Sequence, residues 1–175
     1  MAYQYKREPL TPDEENRLCN VCQLGLEKLI VWTLLDTGLR VSEITSLKRE
    51  QIDWQGRRLT IYGKGGIYGQ QSKRRVVPLS NRAFVLIEHH FALNDSVGIT
   101  PRAIQKMMKR LANRAQITRT VTPHVLRHTF AVRAVQKNIS LPALQRLLGH
   151  DHLATTEIYL NLSPEDVIRE FREKW

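Results

Sequence analysis

The stretch LEKLIVWTLLDTG, residues 26–38, decides the fold that the rest of the chain can adopt. It is long, apolar on most faces and ended by Gly38, a pattern that predicts a central buried helix. The segment RVSEITSL that follows, at 40–47, predicts a further short helix. With 175 residues, 42% of them hydrophobic, the chain can build one sizeable core around such a helix.

Other elements are predicted on both sides of this helix. Before it, Thr11 and Pro12 form a strong helix start, and the predicted helix runs to about Gln23. After it, residues 51–65 alternate between polar and apolar side chains around a turn, and RRVVPL at 74–79 adds another β-rich run. We therefore expect a small three-stranded antiparallel sheet.

From residue 81 onward the pattern is helical again. The predicted helices span about 81–90, 101–115, 123–138, 141–148, 153–160 and 164–174. The fold class is thus mostly α (α+β), and the absence of a repeat or linker predicts a single domain over 1–175. The segment GKGGIYGQQS, at 63–72, is predicted to be a flexible loop.

The charge of the chain indicates its partner. Lys and Arg number 27 against 17 Asp and Glu, a net charge of +10, which in a folded chain favours a nucleic acid. No apolar run is long enough to span a membrane, and the polar start lacks a signal-peptide core, so we expect no membrane association and a cytoplasmic location. Cys19 and Cys22 form a single C-x-x-C without a second pair, which does not fit a zinc finger.

One predicted helix carries charged groups that are costly to bury. In TPHVLRHTF, at 122–130, His124, Arg127 and His128 share roughly one helix face. Two His four residues apart could also hold a metal, but Val125 stands where a metalloprotease helix has Glu, and we expect no metal. The helix is therefore predicted to line an active site.

Further polar groups extend this site. Arg40 follows the helix-ending Gly38, with Glu43 one turn on, and His150 follows Gly149 with Tyr159 nine residues later. Arginines, histidines, a loop lysine and a tyrosine, without clustered acids, suit phosphoryl transfer without a metal or other cofactor. Guanidinium groups can neutralise phosphodiester oxygens, and a tyrosine can attack the phosphorus when its proton is taken up.

The sequence resembles the catalytic domain of the tyrosine recombinase (phage integrase) family, especially its Xer-like members. Four segments carry the resemblance, in the order and spacing of the family: TGLRVSE at 37–43, IYGKG at 61–65, TPHVLRHTFA at 122–131 and LLGHDHLATTEIYLNL at 147–162. The resemblance covers the chain from about Arg7 to the last helix. It implies the helical catalytic fold with a small sheet.

The resemblance implies which residues bind the scissile phosphate. Arg40 is similar to the first phosphate-binding arginine, with Glu43 as its supporting acid. Arg127 matches the arginine of the H-x-x-R pair, and His150 matches a third phosphate ligand. His128 lies beside that pair and would support it without being catalytic.

It also implies which residues move protons and attack. Tyr159 matches the nucleophile, and His124 would assist proton transfer there. Lys64 is similar to the general acid that protonates the leaving 5′-hydroxyl. The segment 73–75, Lys-Arg-Arg, offers rivals, Lys73 foremost, but Lys64 keeps the family's distance from Arg40.

The implied activity is that of a site-specific DNA recombinase. Attack by Tyr159 on double-stranded DNA would give a 3′-phosphotyrosyl link and a free 5′-hydroxyl, leading to integration, excision or dimer resolution. Family members act as a DNA-bound tetramer through a Holliday junction. They usually carry an N-terminal core-binding domain, which this chain lacks, so it is either a catalytic fragment or a minimal form.

Two alternatives remain at this level. A type IB topoisomerase shares the tyrosine chemistry but relaxes supercoils without strand exchange. A regulator of the same fold would bind DNA without cutting it.

Overall fold

The computed structural model describes residues 8–63, 74–149 and 172. Its helices are α1 (Pro12–Asn20), α2 (Gly25–Thr37), α3 (Val41–Thr45), α4 (Asn81–Leu93), α5 (Pro101–Arg114), α6 (Pro123–Gln136) and α7 (Leu141–Leu148). Its strands are β1 (Ile52–Asp53), β2 (Arg58–Tyr62) and β3 (Arg74–Pro78), and a 3-10 turn spans Arg49–Gln51. The mostly helical α+β class is confirmed. The predicted helices at 153–160 and 164–174, and the predicted loop apart from Gly63, lie outside the described residues.

Helix α2 lies at the centre of the core, as predicted. Ile30, Val31, Leu34 and Leu35 on this helix are completely buried. The helix packs against α6, α4 and α1, so that it is covered on several sides. This explains why its sequence is apolar on most faces instead of along one stripe.

The predicted antiparallel sheet is also confirmed. The strand order is β1-β2-β3, and both neighbouring pairs are antiparallel. Leu59 lies opposite Val77, and Ile61 lies opposite Arg75, with the three apolar members of these pairs buried. Because side chains alternate between the two faces of a strand, Arg75 shares the inner face of β3 with Val77.

Two predicted helix ends are wrong by three residues. Helix α1 ends at Asn20 instead of Gln23 because the chain already turns there to start α2. The Glu27 carboxylate accepts the N–H groups of Gln23 and Leu24 at 3.0 and 3.3 Å, and so holds these two residues as the entry to α2. Helix α4 continues past residue 90 to Leu93, since Phe91 is fully buried and extends the apolar face.

Two glycines end the helices that meet at the site. Gly38 ends α2 with φ of 62°, and Gly149 ends α7 with φ of 64°, both in the left-handed region that favours glycine. A Cβ added to Gly38 would overlap Phe130 of α6 and lie 2.9 Å from Leu148 of α7. The end of α2 therefore packs directly against both helices.

Within the described part of the chain, none of the helices has the length and apolar character needed to cross a membrane.

Candidate active site

Three arginine side chains converge on the C-terminal end of α7. Three consecutive main-chain carbonyls there each accept a hydrogen bond from a different guanidinium. The pairs are Leu147 with Nε of Arg75 at 2.9 Å, Leu148 with Nη2 of Arg127 at 2.7 Å, and Gly149 with Nη2 of Arg40 at 3.1 Å. The last carbonyls of a helix have no N–H partner within the helix and carry partial negative charge, so cations are favourable there. We call Arg40, Arg75 and Arg127 the α7 arginine cluster.

Arg40 reaches the cluster because the chain turns sharply between α2 and α3. Gly38 ends α2, and Arg40 is the N-cap residue of α3 with an extended backbone, φ −73° and ψ 152°. Its main-chain N–H donates to Oε2 of Glu43 at 2.7 Å, and its Nη1 donates to Oε1 at 3.1 Å. The side chain of Arg40 is 42% exposed, so its guanidinium can meet a ligand from solvent.

Glu43 is the buried anion that holds the cluster together. Its side chain is only 7% exposed, and it accepts two hydrogen bonds of 2.7 Å from the Arg75 guanidinium. Burial alone would raise the pKa of Glu43, but the hydrogen bonds from Arg75 and the Arg40 N–H, with both positive charges, hold it below its ordinary value. The carboxylate therefore stays ionised at neutral pH.

Arg127 joins the ends of α2 and α7. It lies on α6, whose start is fixed by Pro123 and by the Thr122 side chain, which accepts the N–H of Val125. Besides its bond to α7, its Nη1 donates to the carbonyl of Gly38 at 2.5 Å. The residue is only 4% exposed, so its position is set by the packing of the three helices.

The two histidines of α6 differ in environment. His124 is exposed on the first turn, while His128 is 7% exposed. Burial first, and then the charge of His124, lower the pKa of His128 to about 4. His128 is therefore neutral at neutral pH, which fits the interpretation of this residue as a support.

Four of the residues expected at the site are thus described, and three are not. Arg40, Glu43 and Arg127 lie in one network, and His124 is on the same turn of α6 as Arg127. Lys64, His150 and Tyr159, together with the rival Lys73, lie outside the described residues. Among residues 8–63 and 74–149, no group of three His, Cys, Asp or Glu side chains could hold a metal ion.

The sequence profile of the phage integrase family matches residues 8–166, almost the whole chain. The chain belongs to the phage integrase family. The match includes every predicted site residue from Arg40 to Tyr159, and it confirms the resemblance seen in the four sequence segments.

Two named recombinases resemble this chain in sequence, in fold or in both. Tyrosine recombinase XerA of Pyrococcus horikoshii is 30% identical over 94% of this chain and 60% of its own length. A crystal structure of XerA recombinase has a TM-score of 0.76 at 28% identity, covering 95% of this chain and 64% of that one. XerH recombinase bound to a palindromic difH substrate has a TM-score of 0.75 at 22% identity, over 94% and 52% of the two chains. The chain spans about 60% of the length of XerA.

Arg75 is the member of the α7 arginine cluster to which the sequence assigns no place in the site. From the sequence it is only a rival to Lys64 as the general acid. A guanidinium keeps its proton in proteins, and this one is held by a carboxylate, so that role does not suit it. The alternation of β3 was the available signal, because it puts Arg75 on the inner face with Val77, where an arginine needs a buried acid.

Proposed function

We propose that this chain is the catalytic part of a site-specific DNA recombinase of the phage integrase family. The observation that carries the proposal is the convergence of Arg40 and Arg127, from distant parts of the sequence, on one helix end beside the buried Glu43. Two fixed guanidiniums match the non-bridging oxygens of a phosphodiester, which a transition state makes more negative.

The proposed reaction is a direct transfer of the phosphoryl group to tyrosine. The Tyr159 oxygen attacks phosphorus as His124 accepts its proton, and the bond from phosphorus to the 5′-oxygen breaks. Lys64 gives a proton to that oxygen, which leaves as a 5′-hydroxyl. Arg40, Arg127 and His150 hold the phosphate throughout. The 3′-phosphotyrosyl bond keeps the energy of the broken bond, so another 5′-hydroxyl can reverse the step.

We further propose double-stranded DNA as the substrate and a tetramer of this chain on DNA as the active assembly. The net charge of +10 supports a polyanionic substrate, and the structural relative XerH was solved on its DNA substrate. The chain would act on the cell's DNA in the cytoplasm. The division of the chain, 1–175 as one catalytic domain, remains a prediction.

Trapping on a nicked DNA duplex tests the proposed function. Cleavage near a nick releases a short strand, so the covalent protein-DNA adduct accumulates and is seen on a denaturing gel. We expect an adduct with the wild type in EDTA and none with Tyr159→Phe, because phenylalanine has no hydroxyl. Candidate recombination sites from the source genome supply the duplexes.

Tyr62→Phe is the matched control, since Tyr62 is an exposed tyrosine on β2 that has no assigned role. It should form the adduct as the wild type does. An adduct with Tyr159→Phe, or none with a wild type that binds the DNA, would contradict the proposal. Relaxation of supercoiled plasmid without strand exchange would instead indicate a topoisomerase.

A further inference from the structure

We propose that Arg75 is a positioning residue for the phosphate-binding Arg40 and for the end of α7. Its catalytic consequence rests on the proposed function, while its structural part stands without it. Arg75 is not among the predicted catalytic residues.

The Arg75 guanidinium is held from two sides. Nη1 and Nη2 each donate to one oxygen of Glu43 at 2.7 Å, and Nε donates to the Leu147 carbonyl at 2.9 Å. The side chain is 9% exposed, so these bonds are largely shielded from water. A Cβ on Gly149 would lie 3.0 to 3.2 Å from Cδ, Nη1 and Cζ of Arg75, so the guanidinium also packs against the last residue before His150.

Arg75 and Arg40 share both oxygens of the same carboxylate. Oε1 of Glu43 accepts from Nη1 of each arginine, and Oε2 accepts from Nη2 of Arg75 and from the main-chain N–H of Arg40. Arg40 is half exposed and has a long side chain, so its orientation depends on where Glu43 holds it. Arg75 fixes Glu43, and through it the direction of the Arg40 guanidinium.

The bond to Leu147 extends this role to α7. Arg75 comes from the sheet, and its bond to Leu147 joins β3 to the carbonyl end of that helix. Loss of the Arg75 guanidinium would remove its bonds to Glu43 and to the Leu147 carbonyl, and would so free both Glu43 and the end of α7. Misplacement of a reacting group by about 1 Å costs on the order of 100-fold in rate.

The first experiment compares Arg75→Lys with Arg58→Lys in the 175-residue protein. Lysine keeps the charge but cannot make a two-pronged bond to a carboxylate. Arg58 is the control because it also pairs with a carboxylate in the same sheet, Asp53 at 2.7 Å, but is 55% exposed and away from the cluster.

We expect Arg75→Lys to lower the single-turnover cleavage rate at saturating DNA by about 100-fold and to change DNA affinity by less than about threefold. Arg58→Lys should stay within about threefold of the wild type in both measurements. A role in fold stability alone would lower the melting temperature without changing the rate of the folded protein. A rate for folded Arg75→Lys within about threefold of the wild type overturns the proposal.

A double-mutant cycle with Glu43 tests the route of the effect. If Arg75 acts on Arg40 through Glu43, the Arg75→Lys substitution should cost clearly less in a Glu43→Gln background than in the wild type, and the remaining cost belongs to the bond with Leu147. This double variant also lacks the buried carboxylate, so it remains available if Arg75→Lys alone fails to fold. If the rate loss of the double variant equals the product of the losses of the two single variants, Arg75 does not act through Glu43.

A final experiment, by NMR, does not depend on catalysis, so it tests this inference independently of the proposed function. The Nε–H resonance of Arg40 is assigned in the NMR spectrum through its loss in Arg40→Lys. We expect that resonance to shift in Arg75→Lys and to stay in place in Arg58→Lys. An unchanged Arg40 resonance overturns the inference even when no adduct forms, whereas a missing wild-type adduct with a shifted resonance overturns only the proposed function.

Discussion

A guanidinium can bind both the helix carbonyls that the α7 arginine cluster contacts and the phosphate proposed as its ligand. It has five N–H donors in a fixed plane, so one edge can bind a helix carbonyl while another edge binds a phosphate oxygen. Arg40 illustrates this, since its Nη1 binds Glu43 and its Nη2 binds the Gly149 carbonyl while 42% of its side chain stays exposed. The ends of the helices and Glu43 therefore hold these cations in place in the protein without a ligand.

His128 makes a prediction about pH at the residue scale. Its pKa lies near 4 in the fold, below the ordinary 6.5, so folding favours the neutral imidazole. The stability that this provides is complete above about pH 6.5 and is lost as the pH falls toward 4. We expect the free energy of unfolding to drop by about 2 kcal/mol between pH 7.5 and pH 5 through this residue.

Urea unfolding at the two pH values measures this drop, and most carboxylates stay ionised at pH 5. The His128→Gln variant should lose about 2 kcal/mol of the pH dependence. Removing the exposed His89 as His89→Gln should leave the dependence as it is. If the unfolding free energy of wild type and His128→Gln changed equally between pH 7.5 and pH 5, the lowered pKa of His128 would not be its cause.

At the scale of elements, the glycine ends of α2 and α7 decide how closely the helices meet. We expect Gly38→Ala to destabilise the fold by about 3 kcal/mol, through left-handed strain and overlap with Phe130 and Leu148. Because the Gly38 carbonyl binds Arg127, the cleavage rate should fall as well.

Gly98→Ala is the control for the strain alone, since Gly98 has φ of 70° but open space where a Cβ would lie. It should cost only about 1 kcal/mol in the same urea titration. An equal loss of unfolding free energy in the two variants would mean that the close packing at Gly38 does not contribute to stability.

The sequence predicted the elements better than their contacts. Helix α2 is predictable because its apolar run and Gly38 are local signals, and α6 because His124 and Arg127 stand at helical spacing in an otherwise apolar segment. The pairing of Arg75 with Glu43 was not predictable in this way, because it joins residues 32 positions apart across a sheet and a helix. The early end of α1 is hidden from the sequence for a similar reason, because Glu27 of the next helix accepts the N–H groups of Gln23 and Leu24.

At the scale of the whole molecule, the net charge of +10 supports a prediction on how the proposed binding of DNA depends on salt. If about six phosphates are neutralised, log K should fall against log salt with a slope of about −5, because bound counterions are released. Fluorescence anisotropy on a labelled duplex over a range of salt concentrations measures the slope. An affinity that is flat between low and physiological salt would contradict this prediction.

Helix α5 supplies a variant for the same measurement. Its Ile104, Met107, Met108 and Leu111 are buried, while Lys106 and Lys109 are exposed on the other face. If this face meets the phosphates, the double variant Lys106→Gln/Lys109→Gln should reduce the slope by about 2. An unchanged slope would make the face a solvated one.

The contacts of the α7 arginine cluster also bear on when the protein becomes reactive. They join residues 109, 89 and 72 positions apart, for Arg40 with Gly149, Arg127 with Gly38 and Arg75 with Leu147. Contacts between such distant residues form late, after the chain has closed its large loops. A chain still emerging from the ribosome can join Arg40 and Arg75 through Glu43, but it cannot complete the cluster before Arg127 and the end of α7 have been made and packed. Under the proposed function, cellular DNA would therefore meet the complete cutting chemistry only in molecules that have finished folding.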